Sequence, residues 1–221
     1  MVRRRSRHTS SASEFEYIVK TQYLQLAMTS LPPLSDALAS SRAPDSPLAT
    51  VLSILFEPSP VLLTKLVPEV ASHSSLPTTY ASLIDLAVNT IASWDAHSQA
   101  TFISGHPRIG ELTNLSHLSQ QEQAAKATPA DVLDRLAFLN VVYEQRYPGL
   151  RYITFVNGRS RAEIRDEMER MLRMSGQEEE RISEEIVPVE VGGREWMAEL
   201  NRAIVDVGQI AKSRLRALGV V

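Results

Sequence analysis

The sequence predicts an all-α fold: a single-domain helical bundle of about eight to ten helices. Three observations carry this prediction. Apolar residues recur with helical spacing along most of the chain, and no run alternates as a half-buried strand does. Ser-x-x-Glu pairs, which satisfy open amides at a helix start, stand at Ser119–Glu122 and Ser160–Glu163. Prolines and glycines punctuate the periodic stretches, as expected for short helices joined by short connections.

Taken in order, residues 1–13 are rich in Arg and Ser and offer almost nothing to a core. They read as a disordered N-terminal extension or as a targeting peptide. The single domain then spans 14–221. Glu14 to Thr29 forms a first helix, stopped at Leu31-Pro32-Pro33. Ser35 to Pro47 holds a short helix followed by a loop. Val51–Phe56 and Val61–Ala71 are two apolar helices broken by Pro58 and Pro60, since proline lacks the amide a continuing helix needs. Ser72 to Pro77 is a polar loop. Thr78–Trp94 carries Leu83, Ile84, Leu86, Ala87, Val88 and Ile91 as an amphipathic helix that buries one face, and a further helix ends near Phe102 or Ile103.

Thr128-Pro129-Ala130-Asp131 opens a long helix to about Arg146, ended by Pro148-Gly149. Tyr152–Val156 is β-branched and aromatic, but a lone segment has no strand to pair with, so it is expected as extended or irregular buried chain. Ser160 starts a charged helix to about Arg173. Glu178–Ile186 continues as helix, Pro188 and Gly192-Gly193 interrupt it, and the last helix runs from about Glu195 to Leu218. No chemistry is assigned to Val187–Arg194.

At 221 residues, with 43% hydrophobic and 22% charged residues, the composition is that of an ordinary globular chain with room for one well-buried core. A net charge of -3 argues against a general nucleic-acid binder, which carries a basic face. The absence of cysteine excludes disulfides, thiol catalysis and zinc-thiolate sites. No apolar run reaches the roughly 18 to 20 residues of a spanning helix, so no membrane partner is expected. Dinucleotide, P-loop, nucleophile-elbow and His-Glu-x-x-His patterns are all missing.

The unusual stretch is His106-Pro107-Arg108-Ile109-Gly110-Glu111. Pro107 pushes the residue before it out of the α region, so His106 is expected at a rigid bend. A titratable imidazole held there is a candidate acid or base. Arg108 and Glu111 are expected to tie the corner together as an ion pair. The other histidines lie in the tail or in polar and helix-end contexts.

His106–Glu111, Ser119-x-x-Glu122-Gln123, Asn140-x-x-Tyr143-x-x-Arg146-Tyr147, Gly158-Arg159-Ser160 and Arg214-Leu215-x-x-Leu218 follow one another in the order found in OHCU (2-oxo-4-hydroxy-4-carboxy-5-ureidoimidazoline) decarboxylase. The chain resembles that family over roughly residues 20 to 218. The resemblance implies a carboxy-lyase that converts this small-molecule substrate to (S)-allantoin in urate degradation, with no cofactor and no metal, as a homodimer. It implies that His106, Glu122 and Arg214 are catalytic. His106 would donate the proton and meet the carboxylate, Glu122 would tune the imidazole, and Arg214 would supply a planar fork. Pro107, Ser119, Gln123 and the segment Tyr152, Ile153, Thr154, Phe155 and Val156 would bind substrate, the segment through backbone amides and carbonyls. Relatives tend to carry Phe-Ile-Val-Cys-Ala there, so pocket shape is open. Arg159 precedes a helix cap and is expected in a structural or dimer-interface role. Two alternatives stay open: a non-catalytic all-α interaction module, and the same scaffold acting on a related ureido acid. The compartment, peroxisomal or cytoplasmic, is also open, since Ala217–Val221 is no Ser-Lys-Leu type address.

Overall fold

The computed structural model describes residues 31–39, 43–111, 128–174 and 186–220. The expected Glu14–Thr29 helix, the Arg-rich extension, the Ser119–Glu122 cap and most of the expected Glu178–Ile186 helix lie outside them. Among the described residues there are eight α-helices and no strand. These are α1 (Leu34–Leu38), α2 (Pro47–Phe56), α3 (Val67–Ala71), α4 (Tyr80–Ala92), α5 (Ala96–Ser104), α6 (Ala130–Arg146), α7 (Arg161–Leu172) and α8 (Arg194–Ala217). None of them is long and apolar enough to cross a membrane.

The bundle is organised around α8, which packs against α4, α2 and α5, while α6 and α7 pair beside it. Gly208 permits the close crossing of α8 over α4, because a Cβ there would lie 3.1 Å from Val88 Cγ2. Phe56, Leu83, Ile84, Phe102, Leu136, Tyr143, Leu200 and Val207 belong to one continuous core. Arg135 of α6 and Glu169 of α7 form an ion pair at 2.7 Å with the guanidinium only 7% exposed.

Helix α2 begins four residues earlier than Val51. Ser46 accepts the Ala49 amide at 3.2 Å and Pro47 occupies the first turn, where its missing N–H is harmless. The Ser-Pro pair is thus a start, although it reads as a breaker. The expected Val61–Ala71 helix contains a π-turn at Leu62–Leu66, closed by the Val67 amide on the Leu62 carbonyl. Pro68 supplies the reason: it has no amide for the Thr64 carbonyl and its ring would crowd that oxygen, so the wider turn accommodates it.

Two further helix starts carry side-chain caps. Thr79 and Ser82 form a reciprocal cap at α4, and Ser160 and Glu163 form the expected capping box at α7. Thr128 is not the cap of α6; that position is Pro129, with no side-chain cap. Tyr152–Val156 forms neither helix nor strand, and Tyr152, Ile153 and Thr154 are buried, in line with irregular buried chain. The Val187–Arg194 segment is tied down at the end of α6 by the Val189 amide on the Arg146 carbonyl, 2.9 Å.

Candidate active site

Helix α5 delivers the chain to the His-Pro corner. The amides of Gly105 and His106 still close on the carbonyls of Phe102 and Ile103, at 3.2 and 3.1 Å, before Pro107 ends the helix. The corner is fixed from several sides. The Arg151 guanidinium donates to the His106 carbonyl, Asn140 Nδ2 to the Ile109 carbonyl at 3.0 Å, and Arg108 forms a two-point pair with Glu144 at 2.7 and 2.8 Å. This corrects the expected Arg108–Glu111 ion pair. Glu111 instead accepts the Arg108 backbone amide at 3.0 Å, which leaves the longer Arg108 side chain to reach α6. Gly110 has φ +82 and lies against Leu136, so both conformation and space call for glycine.

His106 is 4% exposed and packs edge-on to Phe102, with ring centroids 5.2 Å apart. Its Nδ1 faces the Phe102 carbonyl at 3.2 Å. Because a carbonyl only accepts, Nδ1 carries the proton of the neutral ring, and Nε2 presents a lone pair. Nε2 is buried and finds no partner among the described residues. Burial pushes the imidazole down to about 4, with the Glu57 carboxylate pulling it up and the Arg214 guanidinium pushing it down. The ligand-free ring is therefore neutral at pH 7.

Arg214 comes from the last turns of α8 and is 3% exposed. Its Nη2 donates to Glu57 Oε1 at 2.6 Å, and its Nη1 points at the carbonyls of Ile54 and Leu55, 3.4 and 3.5 Å away. Glu57, itself 4% exposed, was not singled out by the sequence reading.

The carbonyls of the Tyr152–Val156 segment were expected to face substrate, but three of them are taken by arginines of the chain itself. Arg202 donates to the Ile153 carbonyl at 2.8 Å, and Arg159 to those of Phe155 and Val156. Arg159 also reaches Thr154 Oγ1 at 2.9 Å and pairs with Glu167, so its role within this chain is to brace the pocket segment. Arg202 is held in turn by Glu199 and Asp206. Replacing Arg202 by Met leaves two carboxylates without their cation and releases the Ile153 carbonyl. We expect a loss of about 2–4 kcal/mol by urea unfolding, near the lower side of a broken buried pair because Arg202 is partly exposed.

These elements enclose a cavity of about 580 Å³. His106, Pro107, Tyr152, Ile153, Thr154, Phe155, Val156 and Arg214 all line it, so the corner, the Tyr152–Val156 segment and the end of α8 meet at one cavity. Ser119, Glu122 and Gln123 lie outside the described residues. Among the described lining residues are five arginines, Arg108, Arg159, Arg161, Arg214 and Arg216, and no carboxylate. Three of them, Arg108, Arg159 and Arg214, are paired with Glu144, Glu167 and Glu57, so much of this charge is already compensated.

Residues 41–188 match the family model described as OHCU decarboxylase. No curated protein matches the chain. The matched span contains Glu57, the His-Pro corner and the Tyr152–Val156 segment, and it ends before α8 with Arg214. An all-helical fold of this kind and a match over more than half the chain lead to one conclusion: the chain belongs to the OHCU decarboxylase family.

Proposed function

We propose that the protein decarboxylates 2-oxo-4-hydroxy-4-carboxy-5-ureidoimidazoline to (S)-allantoin without a cofactor. Family membership implies a lyase of urate degradation acting on a small molecule. The observation that carries the finer reading is that His106, whose buried Nε2 has no partner among the described residues, and Arg214 both line one cavity.

Decarboxylation needs a carboxylate held out of water, a place for the electron pair left behind, and a proton for one face of the product. Arg214 and His106 meet the substrate carboxylate. An anion against the imidazole opposes the burial that depresses it, so the ring takes up a proton as substrate enters. Breaking the bond to the carboxylate carbon sends its electron pair into the substrate's conjugated ring, and carbon dioxide leaves past the apolar wall. The imidazolium then delivers its proton to one face. Glu122 would support the charged imidazole, and Ser119 and Gln123 would anchor the ureido group. In this reading the chain works as a homodimer.

The substrate decays spontaneously, so the assay follows chirality as well as rate. Freshly generated substrate should yield (S)-allantoin faster than buffer alone, read by circular dichroism. Racemic product at the buffer rate would end this reading. Turnover of a related ureido acid with no effect on this substrate would move the site to a different specificity.

A further inference from the structure

We infer that Glu57 is a positioning residue: it fixes the Arg214 guanidinium in the cavity wall so that the fork meets the substrate carboxylate in one orientation. Three observations support it. The first is the backbone. Glu57 has φ 71 and ψ 135 at the C-terminal cap of α2, a combination that only glycine adopts without strain. The ψ value suits the residue before Pro58, but the positive φ does not suit a side chain.

The second is burial. Glu57 is 4% exposed and Arg214 3% exposed, and their ion pair offsets part of the cost of burying each charge. The third is geometry. The 2.6 Å contact from Nη2 to Glu57 Oε1, with Nη1 over the Ile54 and Leu55 carbonyls, anchors the planar group to the C-terminal end of α2. The negative end of a helix dipole and a carboxylate thus hold one cation from the same side. Among the described residues Glu57 does not line the cavity, while Arg214 does, so the carboxylate acts through the guanidinium.

This inference rests on the decarboxylase reading for its kinetic readout. The carboxylate loses its charge as carbon dioxide forms, so the Arg214 contact is strongest in the bound ground state, and misplacing it weakens binding more than it slows chemistry. Glu57→Gln and Glu57→Gly should raise KM tenfold or more while changing kcat less than threefold, and Glu57→Asp should fall between them and wild type. Glu57→Gly separates strain from charge: it accepts φ 71 freely, so its thermal midpoint should suffer less than that of Glu57→Gln while its KM rises as much. A wild-type KM in either variant overturns the assignment, and so does a fall in kcat at unchanged KM. If the wild-type protein itself does not turn over this substrate, crystal structures of wild type and Glu57→Gly decide. Arg214 displaced from the Ile54 and Leu55 carbonyls supports the role, and Arg214 in place refutes it.

Discussion

His106→Asn is expected to slow stereoselective decarboxylation by roughly 10²–10⁴-fold, the usual contribution of a positioned acid or base. Asparagine keeps a polar group near the Phe102 carbonyl but cannot take up a proton, so the variant tests titration rather than shape. Helix content should stay unchanged, because His106 follows the last turn of α5 and its amide bond to Ile103 survives the substitution. Near-normal turnover in His106→Asn would remove the proposed proton donor.

The same variant yields a second, ligand-free readout. The folded imidazole sits at about 4 and the unfolded one near 6.5. Between those values the unfolded chain binds more protons, so wild-type stability falls as the pH drops through this window and is fully retained above it. Each unit of depression is worth about 1.4 kcal/mol, so the wild-type protein should lose about 3 kcal/mol relative to His106→Asn between pH 6.5 and 4. Carboxylates remote from His106 cancel in the difference, whereas Glu57, which faces the imidazole, contributes to it. A flat difference across the window would show that the ring is not buried in its neutral form.

What could be read from the sequence follows the range of the forces involved. The Ser160–Glu163 cap and the His-Pro bend rest on residues within a turn of one another, and each appears where expected. The beginning of α2 was hidden because Ser46-Pro47 reads equally as a loop and as a helix start. The π-turn was hidden because Pro68 can be relieved in more than one way, and packing selects which. Glu57 lies 157 positions from Arg214 in the chain, between residues that read as a solvated Phe-Glu-Pro turn. Nothing local marks its carboxylate as buried. Arg202 has the same character: in the sequence it is a helical neighbour of Asp206, and only the fold brings it to the Ile153 carbonyl. The one local hint at Glu57 was negative, a charged residue directly after an unbroken apolar helix, where a solvated end is the ordinary expectation.

Arg214→Met should lower kcat/KM to near the background rate, chiefly through a higher KM, and also destabilise the protein by about 3–5 kcal/mol, since it removes the cation paired with the buried Glu57 carboxylate. The two effects have different origins and can be separated. Adding Glu57→Gln to Arg214→Met replaces the buried charge with a neutral amide, so most of the lost stability should return in urea unfolding while kcat/KM stays near background. Arg214→Lys makes the opposite separation. An ammonium still neutralises Glu57, so stability should drop less than in Arg214→Met. It cannot hold Glu57 and a substrate carboxylate through one planar fork, however, and KM should rise sharply. If Arg214→Met retained near wild-type kcat/KM, or if the double variant regained turnover together with stability, the guanidinium would be a structural cation and the carboxylate would have to be gripped by another lining arginine. Arg161 and Arg216 would then be the next residues to replace.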